Sequence, residues 1–315
     1  MSKAKVTKPK GRAKARHDSS RDGFLSWLRS RFKPSTVYGK WGIFNRYVSP
    51  RMGKGEVSAD RSWWVSLNDR CCKAYRGNGA KRVSQVIRDY MQFLSSAGIP
   101  IDPSWCRNPI SFEPVRPAPK DVWSLEEFNL FYATLDSDMK RLLFSVLFFY
   151  GLRVNECLAL RHSDFTEKAL RVGATVSVKN VERKLLVTSP KTKGSAASLP
   201  MLKSVHRLYE ILGVPLVDGF VFTLGNGRPI GMTSVARWLD DGAMEAGLRR
   251  ISPHCLRDSC ATWLFSSGTD IRLVSRWLRH SSISVTMDCY LRLYGNELGD
   301  LGRKVDSMTE GMLNK

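Results

Sequence analysis

Residues 253–294 read PHCLRDSCATWLFSSGTDIRLVSRWLRHSSISVTMDCYLRLY, and this stretch decides how the second half of the chain folds. Its apolar residues recur at helical spacing on both sides of Gly268, which predicts two helices separated by a left-handed glycine cap. Thr269 or Asp270 can begin the second helix, because short polar side chains accept hydrogen bonds from its first free amides. A serine-rich turn and a third, short segment follow.

The same stretch concentrates groups that suit phosphate chemistry. His254 and Arg257 are three residues apart and therefore share one face of a helix. His280 stands at the end of the second helix, and Tyr290 lies in the segment after it. A guanidinium holds the non-bridging oxygens of a phosphate, imidazoles exchange protons, and a phenol attacks. These residues are a poor metal-ligand set, so we expect a phosphate site.

The chain is strongly basic, with a net charge of +21 at pH 7. Residues 1–17 hold seven Lys/Arg and no acid, which predicts a disordered basic tail. The remainder still carries 43 of the 50 basic residues against 29 acidic ones. Such an excess is typical of a protein that binds a polyanion, most often nucleic acid. The alternative is a basic protein that is merely soluble, and charge alone does not separate the two.

The cysteines and the apolar runs indicate a cytoplasmic protein. An odd number of cysteines without a CxxC pair predicts reduced thiols, not a disulfide framework or a zinc module. The longest apolar run, 142–152, is too short for a membrane span, and the basic N-terminus lacks a signal-peptide pattern.

The first half of the chain predicts a domain built only of helices, residues 18–102. Aromatic and aliphatic residues recur there at helical spacing, and Lys and Arg are interleaved with them. Ser35 or Thr36 can cap the second helix. The simplest interpretation is a compact four-helix domain with a basic face. Residues 103–120, with five prolines and little periodicity, predict a linker.

The second domain is predicted to span residues 121–295. Ser124 begins it with a capping box, and the apolar run 142–150 predicts a buried helix. Arg153 and Glu156 then stand three apart at the start of another helix, and Arg161 with Ser163 and Asp164 marks the end of that helix. An arginine beside a wholly apolar segment is unusual unless it binds an anion. A salt bridge to Glu156 is the simpler alternative when the pair is taken in isolation.

Between residues 170 and 200 the hydrophobic period changes from helix to strand. Strands are predicted at 172–178, 184–188, 197–199 and 220–222. The fold class is therefore mainly α with a small antiparallel β-sheet. Lys191 and Lys193 stand on a hairpin tip, where lysine is usually just solvated, but a cation beside a phosphate could donate a proton. Residues 296–315 predict a C-terminal helix with an apolar stripe, which packs on its own domain or docks in trans on a neighbouring protomer.

Six residues occur in an order and spacing that resemble the tyrosine recombinase (phage integrase) family. They are Arg153, Lys191, His254, Arg257, His280 and Tyr290. GLRVNE at 151–156 resembles the family's first-arginine box, and residues 253–290 resemble its second box almost from end to end. The resemblance covers the second domain continuously and the first more loosely. It implies a helical core-binding domain followed by a mixed α/β catalytic domain of the tyrosine recombinase type.

The resemblance implies a site-specific DNA recombinase or integrase. Tyr290 would attack a phosphodiester, giving a 3′-phosphotyrosine and a free 5′-hydroxyl. The two arginines would hold the non-bridging oxygens, Lys191 would protonate the leaving oxygen, His254 would assist proton transfer from the tyrosine, and His280 would hydrogen-bond the phosphate. Neither metal nor ATP nor another cofactor is implied, because arginines supply the positive charge and the phosphotyrosine retains the bond energy.

The implied partners are double-stranded DNA and further copies of the chain. Family members act as tetramers on paired DNA sites, and accessory DNA-bending or directionality proteins are additional candidate partners. A DNA-associated cytoplasmic location is expected, without a membrane. Two alternatives remain: a type IB topoisomerase, and a DNA-binding protein with a decayed active site. The small first domain and the terminal stripe favour a recombinase over a topoisomerase, and the six filled positions argue against decay.

Two residues depart from the family pattern. Arg279 stands where a glycine usually precedes the second-box histidine, and Asp258 follows the second arginine where histidine is common. The tyrosine lies ten residues after that histidine, although nine is also frequent, so Tyr294 is the alternative nucleophile. Lys191 is preferred to Lys193 because the family lysine typically precedes a threonine in such a turn.

Overall fold

The structure, a computed structural model, describes residues 17–52, 57–73, 78–106, 121–177, 186–188, 197–213, 218–225, 227–280 and 282–287. The described residues before 107 form one compact unit, and those after 120 form another. Most of them are helical and the strands are few. A mainly α fold of two domains is thereby confirmed. Among the described residues there is no helix with the length and apolar character that a membrane span requires.

The first unit is built of helices around an aromatic core. It contains α1 (His17–Arg31), α2 (Pro34–Ile43), a π-helical turn (Phe44–Val48), α3 (Ser49–Met52), α4 (Arg61–Cys72), α5 (Asn78–Ser96) and a 3₁₀ turn (Pro103–Cys106). Residues 34–52 form one continuous helical run, so the described residues of this unit contain the four longer helical segments that the sequence predicts. Phe24, Trp64 and Tyr90 are fully buried, and the rings of Phe24 and Tyr90 lie 5.0 Å apart.

Two local features of this unit differ from the sequence prediction or add to it. Neither Ser35 nor Thr36 caps α2; Lys33 occupies the N-cap without a side-chain hydrogen bond. Pro34 follows at the first helical position, where its missing amide hydrogen would have no partner in any case. Lys40 pairs with Asp89, whose side chain is 4% exposed. This pair ties α2 to α5.

The second unit surrounds the apolar helix that the sequence predicts. Its helices are α6 (Leu125–Ala133), α7 (Asp138–Phe149), α8 (Val154–Cys157), α9 (Lys203–Leu212), α10 (Met232–Glu245), α11 (Cys255–Ser266) and α12 (Ile271–Trp277). Its strands are β1 (Ala169–Val172), β2 (Thr175–Ser177), β3 (Leu186–Thr188) and β4 (Ala197–Pro200). Every residue of α7 from 142 to 148 is buried, and α11 packs against this helix. Ser124 begins α6 with the predicted capping box to Glu127.

The β structure differs from the prediction in two respects. In the described residues it forms two separate two-stranded antiparallel sheets, β1 with β4 and β2 with β3. Gly173 and Ala174 interrupt the alternating run 172–178, so its two parts take different partners. Residues 220–222 do not form a strand; Phe220 makes an isolated bridge to Arg161.

Gly151 connects α7 to the segment that carries the first arginine. Its φ of +57° lies in the left-handed region, where a residue with a Cβ is strained. A Cβ at this position would overlap Cδ2 of Leu278 and lie 3.3 Å from Sγ of Cys260. The glycine therefore satisfies a backbone requirement and a packing requirement together.

Substituting Gly151 with alanine is expected to destabilise the second domain by about 3 kcal/mol, from left-handed strain plus overpacking. Gly268→Ala is the matched control, because Gly268 has a φ of +80° and no atom lies within 4 Å of an added Cβ. The control should cost only about 1 kcal/mol. Chemical denaturation of the full chain, followed by hydrogen exchange of the α7 amides, measures both losses. Equal losses would contradict the packing argument.

Candidate functional site

The first part of the site is a charged pair at α8. Arg153 is the N-cap residue of this single helical turn, so the predicted longer helix, which would end near Arg161, does not form. Glu156 folds back on the cap: Oε2 accepts from the backbone N of Arg153 at 3.1 Å, and Oε1 accepts from Nη1 of Arg153 at 2.6 Å. The Glu156 side chain is 4% exposed and that of Arg153 is 41% exposed. The salt bridge considered from the sequence is therefore present, and Arg153 still reaches solvent.

A second guanidinium reaches the same carboxylate from the end of α12. The amide of Arg279 donates to the carbonyl of Arg276 at 3.1 Å, and the amide of His280 donates to that of Ser275 at 3.0 Å. This pattern is a Schellman motif, and it places Arg279 in the left-handed position with φ +56°. A residue other than glycine costs about 1–2 kcal/mol there. Nη2 of Arg279 lies 3.0 Å from Oε2 of Glu156.

Arg257 connects the two turns that carry these groups. It projects from α11, is 2% exposed, and donates from Nη1 to the carbonyl of Gly151 at 2.6 Å. Its Nη2 donates to the carbonyl of Leu278 at the end of α12. The guanidinium therefore fixes the turn before Arg153 relative to the turn before His280.

Positive charge dominates this cluster. Burial, together with the charges of Arg153 and Arg279, lowers the pKa of Arg257 to about 9, so Arg257 stays protonated at neutral pH. Burial of the Glu156 carboxyl disfavours its charge, but Arg279 and Arg153 outweigh this and lower its pKa. Three guanidiniums and one carboxylate leave an uncompensated positive charge, which suits an anionic ligand.

His280 lies close enough to these arginines to be affected by them. Its pKa is lowered to about 4, first by burial and then by the charges of Arg257 and Arg153. Its Nδ1 is 2.6 Å from the hydroxyl of Thr286, which is fully buried. The imidazole is therefore neutral at physiological pH and can serve as a hydrogen-bond donor or acceptor, not as a cation.

The lowered pKa of His280 predicts a stability that falls at acid pH. The unfolded chain takes up this proton near the ordinary pKa of 6.5, and the folded chain only near 4. The contribution of the neutral imidazole to the free energy of unfolding is complete above pH 6.5 and is lost as the pH falls towards 4. For a partly exposed ring the loss is about 2 kcal/mol. Denaturant unfolding at pH 7 and pH 4.5 measures the change. His280→Asn should flatten this dependence, whereas His206→Asn on α9 should retain it.

The structure brings together three of the predicted residues, Arg153, Arg257 and His280. His254 is exposed at the N-cap of α11, and its carbonyl accepts from the amide of Arg257 at 3.1 Å. The remaining predicted residues and their alternatives lie outside the described part of the chain. They are Lys191, Lys193, Tyr290 and Tyr294.

Sequence reasoning missed the part that Arg279 plays in this cluster. The sequence shows an arginine where the resemblance leads one to expect a glycine, but spacing along the chain gives no reason to place it near Glu156, which is 123 positions away. A charged residue at a left-handed position is the signal that could have found it. Within the described ranges, no group of three or more His, Cys, Asp or Glu residues could hold a metal ion.

Comparison with known proteins assigns part of the chain to a family. Residues 125–297 match the Phage integrase family. The ICEBs1 integrase of Bacillus subtilis (strain 168) is 27% identical over 200 residues, which cover 59% of this chain and 54% of that protein. The tyrosine recombinase XerC of Myxococcus xanthus is 26% identical over 260 residues, 77% of this chain and 81% of that protein. The chain thus spans about half the length of the first of these relatives and most of the second.

Solved structures share the fold. The Tn1549 transposon integrase in complex with transposon right end DNA superposes with a TM-score of 0.66 at 16% identity, covering 86% of this chain and 94% of that chain. A lambda integrase tetramer bound to a Holliday junction gives a TM-score of 0.62 at 17% identity, covering 85% and 78%. At such identities the likeness concerns the fold alone.

Proposed function

The chain belongs to the phage integrase family, and from this premise we propose that it is a site-specific DNA recombinase that cuts and rejoins DNA through a 3′-phosphotyrosine intermediate. The observation that carries the proposal is the cluster of Arg153, Arg257 and His280 at adjoining turns. It combines net positive charge with a neutral imidazole. That combination suits a phosphodiester whose oxygens gain negative charge in the transition state.

In the proposed reaction Arg153 and Arg257 hold the non-bridging oxygens of the scissile phosphate. Arg153 is exposed enough to turn towards DNA, whereas Arg257 is fixed by two carbonyls and contributes charge from a set position. His280, neutral at physiological pH, donates a hydrogen bond to the phosphate. Each of these interactions strengthens as charge develops on the oxygens, which is the condition for catalysis.

The covalent step exchanges one ester for another. Oη of Tyr290 forms a bond to phosphorus while the bond from phosphorus to the 5′-oxygen breaks. The phenolic proton leaves with the assistance of His254, and Lys191 supplies a proton to the 5′-oxygen. The 5′-hydroxyl of a partner strand then reverses the step. The number of phosphoester bonds is conserved, so the reaction needs no ATP, and the arginines take the part that a metal ion would otherwise play.

The proposal extends to partners. The two solved structures named above are complexes of integrases with DNA, and one of them is a tetramer on a Holliday junction. We therefore propose double-stranded DNA as the substrate and a homotetramer on paired sites as the active assembly. The 296–315 segment is the candidate for docking in trans, and accessory DNA-bending or directionality proteins are candidate additional partners. We also propose that the protein acts on DNA in the cytoplasm.

Covalent trapping tests this function. Sheared genomic DNA from the source organism is incubated with the protein in EDTA, and the covalent protein–DNA species are isolated and sequenced to identify the site. Nicked suicide duplexes carrying that sequence should then give an adduct on a denaturing gel without metal or ATP. Tight, specific binding without any adduct would overturn the proposal in favour of a DNA-binding protein with a decayed site.

A plasmid assay separates the recombinase from a topoisomerase. Plasmids that carry two copies of the trapped sequence should yield recombined products. Relaxation of supercoils without exchange between the two copies would instead indicate religation of the same strand.

A further inference from the structure

The carboxylate of Glu156 has two cationic partners with opposite exposure. Arg153 holds Oε1 and has a side chain that is 41% exposed. Arg279 holds Oε2 and has a side chain that is 1% exposed. Only Arg153 can therefore turn towards a ligand in solution, while Arg279 stays at the carboxylate.

The position of Arg279 is unfavourable by two independent criteria. Among the described residues it is the only non-glycine with a positive φ. Its Nε is buried and has no hydrogen-bond partner within the described structure. A glycine would adopt this turn without strain, and an unsatisfied buried donor is destabilising. Backbone strain and the unsatisfied Nε both disfavour an arginine here, so the favourable contribution of this side chain is its charge.

That charge matters when Arg153 engages a phosphate. Moving Arg153 from Glu156 to DNA without another counter-ion would leave a carboxylate unpaired in a buried site, which is strongly unfavourable. With Arg279 in place, Oε2 keeps its ion pair, and the amide of Arg153 still donates to the same oxygen at 3.1 Å. The cost of releasing Arg153 is lowered accordingly.

We propose that Arg279 is a positioning residue that serves as the permanent counter-ion of Glu156 and thereby releases Arg153 to bind the scissile phosphate. The inference rests on the proposed recombinase function and adds to it a residue that acts through others. Arg279 does not itself touch DNA in this proposal. This role also explains why an arginine stands where the resemblance leads one to expect a glycine.

Arg279→Gly tests the proposal, because glycine suits the left-handed backbone and the variant removes the buried guanidinium together with its aliphatic chain. At saturating nicked duplex, the rate of adduct formation should fall about 10- to 100-fold, while DNA affinity changes much less. Arg279→Lys should restore part of the rate by returning a charge. The double variant Arg279→Gly/Glu156→Gln has no buried carboxylate at position 156 to keep Arg153 in an ion pair. It should therefore form the adduct at least about fivefold faster than Arg279→Gly alone.

Arg272→Ala is the matched control for the loss of one positive charge, because Arg272 lies on α12, the helix that Arg279 follows. Arg272 has a side chain that is 78% exposed and pairs with Asp270 at the start of α12. Its rate at saturating DNA should equal that of wild type. A rate for Arg279→Gly within about twofold of wild type would overturn the proposal, as would a double variant no faster than the single one. Absence of any adduct from wild type would overturn the recombinase function, and this inference with it.

Discussion

Replacing Tyr290 by phenylalanine is expected to abolish the covalent protein–DNA adduct. The substitution removes one oxygen, the proposed nucleophile, and leaves the aromatic ring. No neighbouring group in the proposed mechanism can form a stable ester in its place. The measurement is the fraction of nicked suicide duplex that migrates with protein on a denaturing gel in EDTA. Residual adduct should be below detection, whereas duplex binding should stay close to that of wild type.

Tyr294→Phe is the matched control for this experiment, since it removes the same atom four residues further along the chain. It should form the adduct at the wild-type rate. Proteolysis of the wild-type adduct and mass spectrometry of the remaining peptide should then identify a phosphate ester on Tyr290. Loss of adduct only in Tyr294→Phe would keep the reaction and the family but assign the nucleophile to the other tyrosine.

Replacing Arg257 by lysine is expected to slow adduct formation about 10²- to 10³-fold at saturating DNA. A lysine ammonium is a compact cation that lacks the planar fork of donors, so it cannot satisfy the carbonyls of Gly151 and Leu278 in the same geometry. The turns before Arg153 and His280 would lose their common anchor. Single-turnover cleavage of the nicked duplex measures the effect.

Arg272→Lys serves as the control for this substitution, because that guanidinium is exposed and lies outside the cluster. Its cleavage rate should match wild type. The Arg257→Lys loss should appear in the rate at saturation more than in DNA affinity, since a buried guanidinium contributes to the transition state more than to encounter with DNA. If Arg257→Lys cleaves at the wild-type rate, Arg257 does not have the role proposed for it in the mechanism.

Local patterns predicted much of the helical structure correctly. The run 142–150 is apolar nearly all round, and α7 is indeed buried there. Gly268 has the left-handed φ predicted for the cap of α11, and Asp270 caps α12 through the amide of Arg272. These signals succeed because capping and burial depend on residues within one or two turns.

Predictions failed where the deciding contact was distant in sequence. Alternation at 172–178 is a strand signal, but it does not specify a partner. In the described residues two sheets form where one was predicted. The helix expected after Arg153 stops after one turn, although nothing in its composition forbids continuation. Strand pairing and helix length in such short elements depend on the tertiary packing around them.

The sequence by itself determined the two-domain helical fold, the family, and which side chains are chemically suited to a phosphate. It did so because helical period, capping and motif order are local properties. Only the tertiary structure decided how the charges are paired. Arg279 meets Glu156 across 123 positions, and Arg257 reaches carbonyls in two separate turns. Burial and ion pairing depend on the distances that folding creates between remote residues, and no spacing along the chain encodes those distances directly.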